Sequence, residues 1–284
     1  MPCDPLPPKS IKELQIIAHE LRLDVLEMLY NAGSGHSAGS LGTAEIFATL
    51  YFSELKNDSK KPDDSGRDRF ILSNGHICPL LYATLAKRGF FPLEELSKLR
   101  KIDSLLQGHP DRKIPGVETT GGSLGQGLSI AVGIALAVKV DKTNTRTYCM
   151  TSDGELNEGQ TWEAVMLAAK YNLDNLLWIV DRNNIQIGGF THEIMPLEHL
   201  REKLESFNWY VLEVDGHDIM EIQSAFSMAK RILQRPTAII AHTTPGKGVD
   251  FMENDPAWHG KTPSKEEYYE AKAQIKKLLK ELYA

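Results

Sequence analysis

The sequence predicts an α/β fold with three layers, in which a mostly parallel sheet lies between two layers of helices. Short apolar runs alternate with helical stretches along most of the chain, a pattern typical of strand–helix–strand units. The clearest unit has apolar runs at 147–151 and 176–180 with a helical stretch at 160–171 between them. A crossover of about 30 residues fits this spacing, and its right-handed connection makes the two strands parallel.

The remaining elements follow from periodicity and from the breaks in it. Apolar residues recur at helical spacing from Ile11 to Met28, which predicts a helix over 11–30. We expect a second helix ending near Leu55, a strand at 70–72, and helices at 79–87 and 126–140 separated by a long loop over 104–126. Strands at 209–214 and 238–241 flank a helix at 220–233, and an amphipathic helix covers 265–283. The proline-rich residues 1–10 are expected to form an arm before a single domain over 11–284.

Composition and charge exclude several classes of protein. The formal charge of −6 argues against a general nucleic-acid-binding surface. No apolar run reaches the length of about 18 residues typical of a membrane span, and the first residues lack the basic and apolar regions of a secretory signal. Cys3, Cys78 and Cys149 show no Cys-x-x-Cys spacing, which favours reduced thiols. We therefore expect a cytoplasmic protein without nucleic-acid or membrane partners.

Two hard oxygen ligands follow the two strands of the crossover. Asp153 comes after the first apolar run and Asn183 after the second, and parallel strands bring both to the carboxyl edge of the sheet, where open α/β folds bind ligands. Gly154 permits a close approach of a backbone N–H to a phosphate, beside a helix N-terminus that favours an anion. The pattern indicates Mg²⁺ or Ca²⁺ between protein oxygens and a diphosphate. The alternative is a capped turn, because Asp and Asn are common at turns and helix N-termini.

Five further motifs, taken in order with this Asp–Asn pair, resemble transketolase. They are Ser34-Gly35-His36, Ser73-Asn74-Gly75-His76, Gly108-His109-Pro110, Gly122-Ser123-Leu124-Gly125-Gln126-Gly127 and Trp258-His259-Gly260-Lys261. The resemblance is to the N-terminal, diphosphate-binding domain of that family and extends from about Ile11 to the C-terminus. It implies the thiamine-diphosphate-binding fold, with thiamine diphosphate held through Mg²⁺ or Ca²⁺.

The resemblance also implies a partner. A complete transketolase continues for more than this length again, with a pyrimidine-binding domain and a C-terminal domain. This chain is therefore expected to be the N-terminal subunit of a split transketolase, in an α2β2 assembly with a C-terminal subunit that carries the pyrimidine-binding domain. The implied reaction transfers a two-carbon ketol unit from a ketose or its phosphate to an aldose or its phosphate. The glutamate that the family uses at the pyrimidine ring is expected on the partner, so the chain alone should be inactive.

Four of the nine histidines lie in loops rich in Gly, Ser and Pro: His36, His76, His109 and His259. Loops carried by a rigid scaffold often hold catalytic groups, although each imidazole taken alone also fits a structural or surface role. The resemblance implies that all four line the channel to the reactive carbon and assist proton transfers, and that His76 and His259 also contact the cofactor. His217, in Asp215-Gly216-His217-Asp218, is predicted to be a turn feature.

The resemblance assigns further residues to the cofactor site. Gly122 and Leu124 match positions that touch the cofactor, although a tight turn before a helix also explains them. Ile185 matches a residue that offers its backbone carbonyl to the metal and packs beneath the thiazolium ring. Lys247 falls in a loop that covers the diphosphate, where the alternative is a solvated surface lysine. In the family a glycine usually occupies the position of Ser152, so the resemblance implies an added hydroxymethyl group near the diphosphate.

Two acidic residues complete the expected set. Glu158 and Glu163 match acidic residues near the cofactor and the subunit contact, where carboxylates link two active sites; Glu158 is the one assigned to the cofactor. On the residues alone, two acids in the first turns of a helix are ordinary partners of its dipole.

Two other functions stay open. The α-subunit of a thiamine-dependent 2-oxoacid dehydrogenase shares the Asp–Asn metal motif, but that function leaves the Ser-Gly-His, Gly-His-Pro and Trp-His-Gly segments unexplained. The other alternative is a non-catalytic binding or regulatory module that keeps the fold without the activity. Asp153, Asn183 and the four loop histidines are all present, which argues against a loss of catalytic activity.

Overall fold

The computed structural model describes residues 9–284. Most of the expected arm at 1–10, together with Cys3, lies outside these residues. In the described part of the chain, Cys78 and Cys149 are buried free thiols. None of its helices combines the length and the apolar character needed to cross a membrane.

Within these residues, seven strands form two sheets. The strands are β1 (Arg69–Leu72), β2 (Thr147–Ser152), β3 (Leu176–Arg182), β4 (Ile185–Gln186), β5 (Gly189–Phe190), β6 (Tyr210–Asp215) and β7 (Thr237–His242). Five of them form one parallel sheet in the order β1-β2-β3-β7-β6, and β4 and β5 form a small antiparallel hairpin. The predicted α/β class and mostly parallel sheet are confirmed.

Ten α-helices accompany the strands in the described chain. They are α1 (Ile11–Ala32), α2 (Ala38–Gly42), α3 (Ala44–Thr49), α4 (Cys78–Lys87), α5 (Gln126–Val140), α6 (Gly159–Lys170), α7 (Thr191–Ile194), α8 (Leu200–Ser206), α9 (Ile219–Ala229) and α10 (Lys265–Tyr283). The predicted crossover is confirmed, because α6 connects the parallel strands β2 and β3.

Alternating strand residues divide the core into two halves. Met150 and Ile179 pack with α1, α3, α4, α9 and α10 on one side. Cys149 and Trp178, their neighbours in sequence, pack with α5, α6 and α8 on the other side. Successive strand residues point to opposite faces of a sheet, so both faces need an apolar helical cover. This produces the predicted three layers.

Two predicted helices differ from the structure. The helix expected to end near Leu55 is divided into α2, α3 and a final π-helical turn over Leu50–Glu54. The helix predicted at 220–233 ends earlier, at Ala229. Gln234, between the predicted end of this helix and Pro236, takes a positive φ of 62°. The β4–β5 hairpin and α8 were not predicted.

The parallel sheet positions the predicted motifs. β1 ends immediately before Ser73, β2 before Asp153, β3 before Asn183 and β7 before Thr243. Since parallel strands end at one edge, four loops that contain polar side chains begin side by side.

Candidate active site

Asp153 and Asn183 are brought together at the carboxyl edge of the sheet. Ser152 and Asp181 are register partners in β2 and β3, so the residues that follow them emerge next to each other. The backbone N–H of Asn184 donates to Asp153 Oδ2 over 2.8 Å. The predicted juxtaposition of the two ligand residues is therefore present in the structure.

The Asp153 carboxylate is buried and only partly satisfied. Its Oδ1 atom is buried without a hydrogen-bond partner in the described part of the chain, and its Oδ2 atom accepts from Arg182 Nη1 over 2.9 Å. Burial raises the pKa of Asp153 to about 6, against the opposing effect of Arg182. An oxygen that is buried, acidic and without a protein partner is a suitable ligand for a cation.

Arg182 is a residue that sequence reasoning missed. Its guanidinium also donates to Thr191 Oγ1 over 2.9 Å and to Glu198 Oε1 over 2.5 Å. It therefore ties Asp153 to the segment that follows the β4–β5 hairpin. The available signal was an arginine at the end of the second strand, immediately before the predicted ligand Asn183.

Asp181 fixes the orientation of the Asn183 amide. Asn183 Nδ2 donates to Asp181 Oδ2 over 2.8 Å, and Asn183 Oδ1 accepts from Ile185 N over 2.9 Å. Thr243 Oγ1 donates to the other oxygen of Asp181. Burial raises the pKa of Asp181 to about 7. The amide oxygen of Asn183 is thus held towards the backbone of Ile185, whose side chain is buried.

Glu155 was not predicted, yet it joins three motifs. Its side chain accepts from Ser73 Oγ, from Gly125 N over 2.8 Å and from Ser152 N over 2.8 Å. The residue is fully buried, and burial raises its pKa. The spacing of Ser152 and Glu155 is that of a capping box, which was the signal available in the sequence.

Ser152 does not point its hydroxyl into open space. Its Oγ atom lies 3.5 Å from Glu155 Oε2, so the hydroxymethyl group belongs to the Glu155 hydrogen-bonding group. Gly154 has room around it within the protein, because a Cβ atom there would lie 3.4 Å from its nearest neighbour, Gln186 Cγ. Crowding from the chain therefore does not require a glycine at position 154.

Three of the four predicted histidines form a cluster of rings. The ring centroids are 5.0 Å apart for His36 and His76, 5.4 Å for His36 and His259, and 5.2 Å for His76 and His259. Burial lowers the pKa of His36 to about 4 and of His76 to about 3, and it also lowers the pKa of His259. All three imidazoles are therefore neutral near pH 7, and each has one donor and one acceptor nitrogen.

Two contacts hold this cluster in place. Ser37 Oγ donates to the carbonyl oxygen of Lys261 over 2.6 Å, which joins the loops of His36 and His259. Lys261 Nζ lies 3.9 Å from the ring centroid of the buried Trp258, a favourable cation–π distance. The Nδ1 atom of His36 is buried and has no hydrogen-bond partner among residues 9–284.

His109 lies beside the cluster and not within it. Its carbonyl oxygen accepts from Tyr82 Oη over 2.8 Å. A Cβ atom built on Gly75 would lie 3.4 Å from His109 Cδ2, and one built on Gly122 would lie 3.7 Å from His109 Cγ. The glycines of two predicted motifs thus pack against the imidazole of a third.

The remaining predicted residues lie near the surface. Leu124, Glu158 and Glu163 are exposed, and a Cβ atom on Gly125 would lie 2.8 Å from Glu158 Cβ. Lys247 is half-buried, with its Nζ atom 3.8 Å from Glu253 Oε1. Among residues 9–284 there is no group of three or more His, Cys, Asp and Glu side chains suited to hold a metal. The predicted ligand set contains one carboxylate, one amide and one backbone carbonyl, so it does not need such a group.

Comparisons with known proteins identify the family. The profile described as transketolase, thiamine diphosphate binding domain, matches residues 14–277. A subunit of apulose-4-phosphate transketolase from Phocaeicola vulgatus is 39% identical over 273 residues, which are 96% of this chain and 97% of that protein. A 6-deoxy-6-sulfo-D-fructose transketolase subunit from Clostridium sp. (strain MSTE9) is 43% identical over 266 residues, which are 93% of this chain and 97% of that protein.

Longer transketolases match over only part of their length. Human transketolase is 41% identical over 258 residues, which are 89% of this chain but 40% of that protein. The structure of transketolase from Campylobacter jejuni superposes with a TM-score of 0.90 at 36% identity, covering 94% of this chain and 43% of that one. The resemblance predicted from the motifs is confirmed, and the chain belongs to the transketolase family and comprises its thiamine diphosphate binding domain.

Proposed function

We propose that this chain is the N-terminal subunit of a two-chain transketolase. With its partner it transfers a two-carbon ketol unit from a ketose or ketose phosphate to an aldose or aldose phosphate. The observation that carries the proposal is the buried Asp153 Oδ1, which lacks a partner in the described chain and lies at the same sheet edge as the histidine cluster. The two relatives that match this chain over 97% of their length are both named as transketolase subunits.

The metal site is part of this proposal. Asp153 Oδ1, Asn183 Oδ1 and the Ile185 carbonyl would hold Mg²⁺ or Ca²⁺, and diphosphate oxygens would complete its coordination. Support comes from the donor set, because Mg²⁺ takes oxygen ligands and usually only one or two carboxylates. The unpartnered Oδ1 and the raised pKa of Asp153 also support a cation at this site. Burial makes ionisation of this carboxylate unfavourable, and a nearby cation stabilises the ionised form.

Several residues would hold the cofactor itself. When bound, thiamine diphosphate supplies the nucleophilic carbon that the reaction needs. His76, Gly122, Gly154, Lys247 and His259 would bind its diphosphate end. Leu124, Glu158 and Ile185 would complete the cofactor contacts.

The histidines would act on the sugar. A neutral imidazole donates a proton from one nitrogen and accepts one at the other, which suits the hydroxyl and carbonyl groups of a ketose. The lowered pKa values of His36, His76 and His259 support this role at neutral pH. His109, next to the cluster, would bind a more distant hydroxyl group.

The partner would be a C-terminal subunit that carries the pyrimidine-binding domain, in an α2β2 heterotetramer. Glu158 and Glu163 are exposed and would form the carboxylate contact between subunits. The two subunit relatives are named for different sugars, so the proposal specifies the class of substrate and not one sugar. A cytoplasmic location also stays a prediction.

The test is reconstitution. The chain is co-expressed with the C-terminal transketolase subunit of the same organism, and two-carbon transfer from a panel of ketoses and ketose phosphates is assayed with thiamine diphosphate and Mg²⁺. We expect activity from the complex and none from either chain alone. Decarboxylation of a 2-oxoacid would instead indicate a dehydrogenase subunit. A complex that binds cofactor but acts on no sugar would establish a non-catalytic module.

A further inference from the structure

We infer that His217 is a positioning residue for the active site, which deepens the function proposed above and rests on it. The sequence alone predicts only a turn feature at this position. In the structure His217 connects a buried ion pair to the loop over 243–248. That loop contacts Asp181, the partner of the predicted metal ligand Asn183, on one side and the His36 segment on the other.

The ion pair provides a rigid base. Arg22 Nη1 and Nη2 donate to the two oxygens of Glu45 over 2.7 and 2.6 Å, and Arg22 Nε donates to the Leu41 carbonyl over 3.0 Å. Arg22 is fully buried and Glu45 is 7% exposed. Burial opposes ionisation of Glu45, but Arg22 and His217 hold its pKa far below the usual range. A bidentate pair between two helices fixes the position of the carboxylate.

His217 contacts both this ion pair and Thr244, and the two contacts define its tautomer. Its Nδ1 atom lies 3.1 Å from Glu45 Oε2, and its Nε2 atom accepts the backbone N–H of Thr244 over 2.7 Å. A nitrogen that accepts from a backbone amide carries no proton, so the proton is on Nδ1 and is donated to the carboxylate. The buried carboxylate thus selects the tautomer that can hold Thr244.

From Thr244 the contacts reach both halves of the site. The neighbouring Thr243 donates through Oγ1 to Asp181, and Asp181 accepts from Asn183 Nδ2 over 2.8 Å. This path ends at a predicted metal ligand.

The same loop also holds the segment that follows His36. Gly246 N donates to the Ala38 carbonyl over 2.8 Å, and a Cβ atom on Gly42 would lie 2.8 Å from the Thr244 carbonyl oxygen. The close packing leaves the loop little freedom to shift relative to α2. Displacement of Thr244 would therefore disturb both the Asn183 amide and the histidine cluster. Lys247, three residues after Thr244, would move with the loop.

Two conservative variants separate the two hydrogen bonds of His217. The amide of Gln reaches the place of Nε2 and can still accept from Thr244, whereas the amide of Asn reaches the place of Nδ1 and can only replace the contact with Glu45. If positioning of Thr244 is the role, His217→Gln should preserve function and His217→Asn should not. His242→Gln is the control, because His242 Nε2 forms a similar contact with Glu213 Oε2 at 2.9 Å, but on the surface.

Two measurements apply to these variants. In the full chain alone, hydrogen–deuterium exchange of the Thr244 and Gly246 amides should accelerate in His217→Asn and stay near wild type in His217→Gln and in the control. In the reconstituted complex, isothermal titration with Mg²⁺ and thiamine diphosphate should show Kd raised about 10–100-fold in His217→Asn alone, the range typical for loss of an outer-shell partner.

The outcomes separate this inference from the proposed function. Equal exchange in the Asn and Gln variants would overturn the inference whatever the cofactor does. Faster exchange with unchanged cofactor affinity would overturn the role at the active site. A wild-type complex that does not bind thiamine diphosphate would instead overturn the proposed function, while the exchange result still decides the link between His217 and the loop.

Discussion

Asn184 donates its backbone N–H to the Oδ2 atom of Asp153 over 2.8 Å. This bond joins the segments that follow two neighbouring parallel strands, so the positions of Asp153 and of the Asn183–Ile185 turn depend on each other. It uses the Oδ2 atom, whereas the Oδ1 atom has no hydrogen-bond partner among residues 9–284. Because Oδ2 accepts the hydrogen bonds from the protein and Oδ1 accepts none of them, Asp153 can be both a structural link and a candidate metal ligand.

Asp153→Asn should remove metal-dependent cofactor binding while preserving the fold. The amide is isosteric and can still accept from Asn184 N, but it lacks the charge that attracts a divalent cation. We expect Kd for thiamine diphosphate with Mg²⁺ to rise at least about tenfold, because loss of even an outer-shell partner typically has that effect. Titration calorimetry on the reconstituted complex measures it, and the exposed Asp141→Asn is the control. Unchanged affinity would disprove the metal assignment.

Glu155→Gln should destabilise the chain itself. The carboxylate accepts from Ser73 Oγ, Gly125 N and Ser152 N, and an amide NH₂ must face one of these donors. A buried donor left without an acceptor costs about 1–3 kcal/mol in free energy of unfolding. Denaturant unfolding of the isolated chain is the measurement, with the exposed Glu163→Gln for comparison. Equal stability of the two variants would show that Glu155 does not join the three loops.

His76 should make stability depend on pH. Burial lowers its pKa from 6.5 to about 3, so at intermediate pH the unfolded chain binds a proton that the folded chain does not. Its contribution to stability is complete above about pH 6.5 and declines as the pH falls towards about 3. Between pH 7 and 5, the free energy of unfolding of the wild type should fall by about 1–2 kcal/mol more than that of His76→Asn.

Comparison of the wild type with His76→Asn removes the contribution of buried acids to the pH dependence of stability. The pKa values of Asp153 and Asp181 are raised, and these residues stabilise the fold as the pH falls, but they are present in both proteins. His192→Asn, on the surface, should show the wild-type dependence. A His76 variant with the wild-type pH profile would mean that this imidazole is not buried in its neutral form.

His259→Ala should reduce turnover in the reconstituted complex. If the imidazole transfers a proton to or from the sugar, kcat should fall by about 10²–10⁴-fold. A rise in KM at constant kcat would instead identify a binding residue. Steady-state kinetics over a range of ketose concentrations separate the two effects.

The sequence predicted the parts of this molecule that depend on local pattern. The crossover and the juxtaposition of Asp153 and Asn183 follow from strand spacing alone. It did not predict the contact of His217 with Glu45, which are 172 residues apart in sequence, because no local pattern encodes a pairing across that distance. Glu155 was missed for a related reason: its capping-box spacing was visible, but its bonds to Ser73 and Gly125 arise only when three loops meet.

Two glycines of α5 should respond in opposite directions to the same substitution. Gly127 lies at the start of the helix, where its N–H donates to Ser73 Oγ over 3.0 Å. A Cβ atom there would lie 2.4 Å from Ser73 Cβ and 2.7 Å from Ser73 Cα, so the loop after β1 would have to move. Gly133 lies on the exposed side of the same helix, and a Cβ atom there would have no neighbour within 4 Å.

Gly127→Ala should therefore lower the free energy of unfolding by about 1–3 kcal/mol, as overpacking does. Gly133→Ala should raise it by about 0.5–1 kcal/mol, because alanine loses less backbone entropy in a helix. Denaturant unfolding of the isolated chain measures both. Because the two variants add the same methyl group to the same helix, helix propensity alone would stabilise both. Stabilisation of Gly127→Ala would show that α5 does not pack on Ser73 as described.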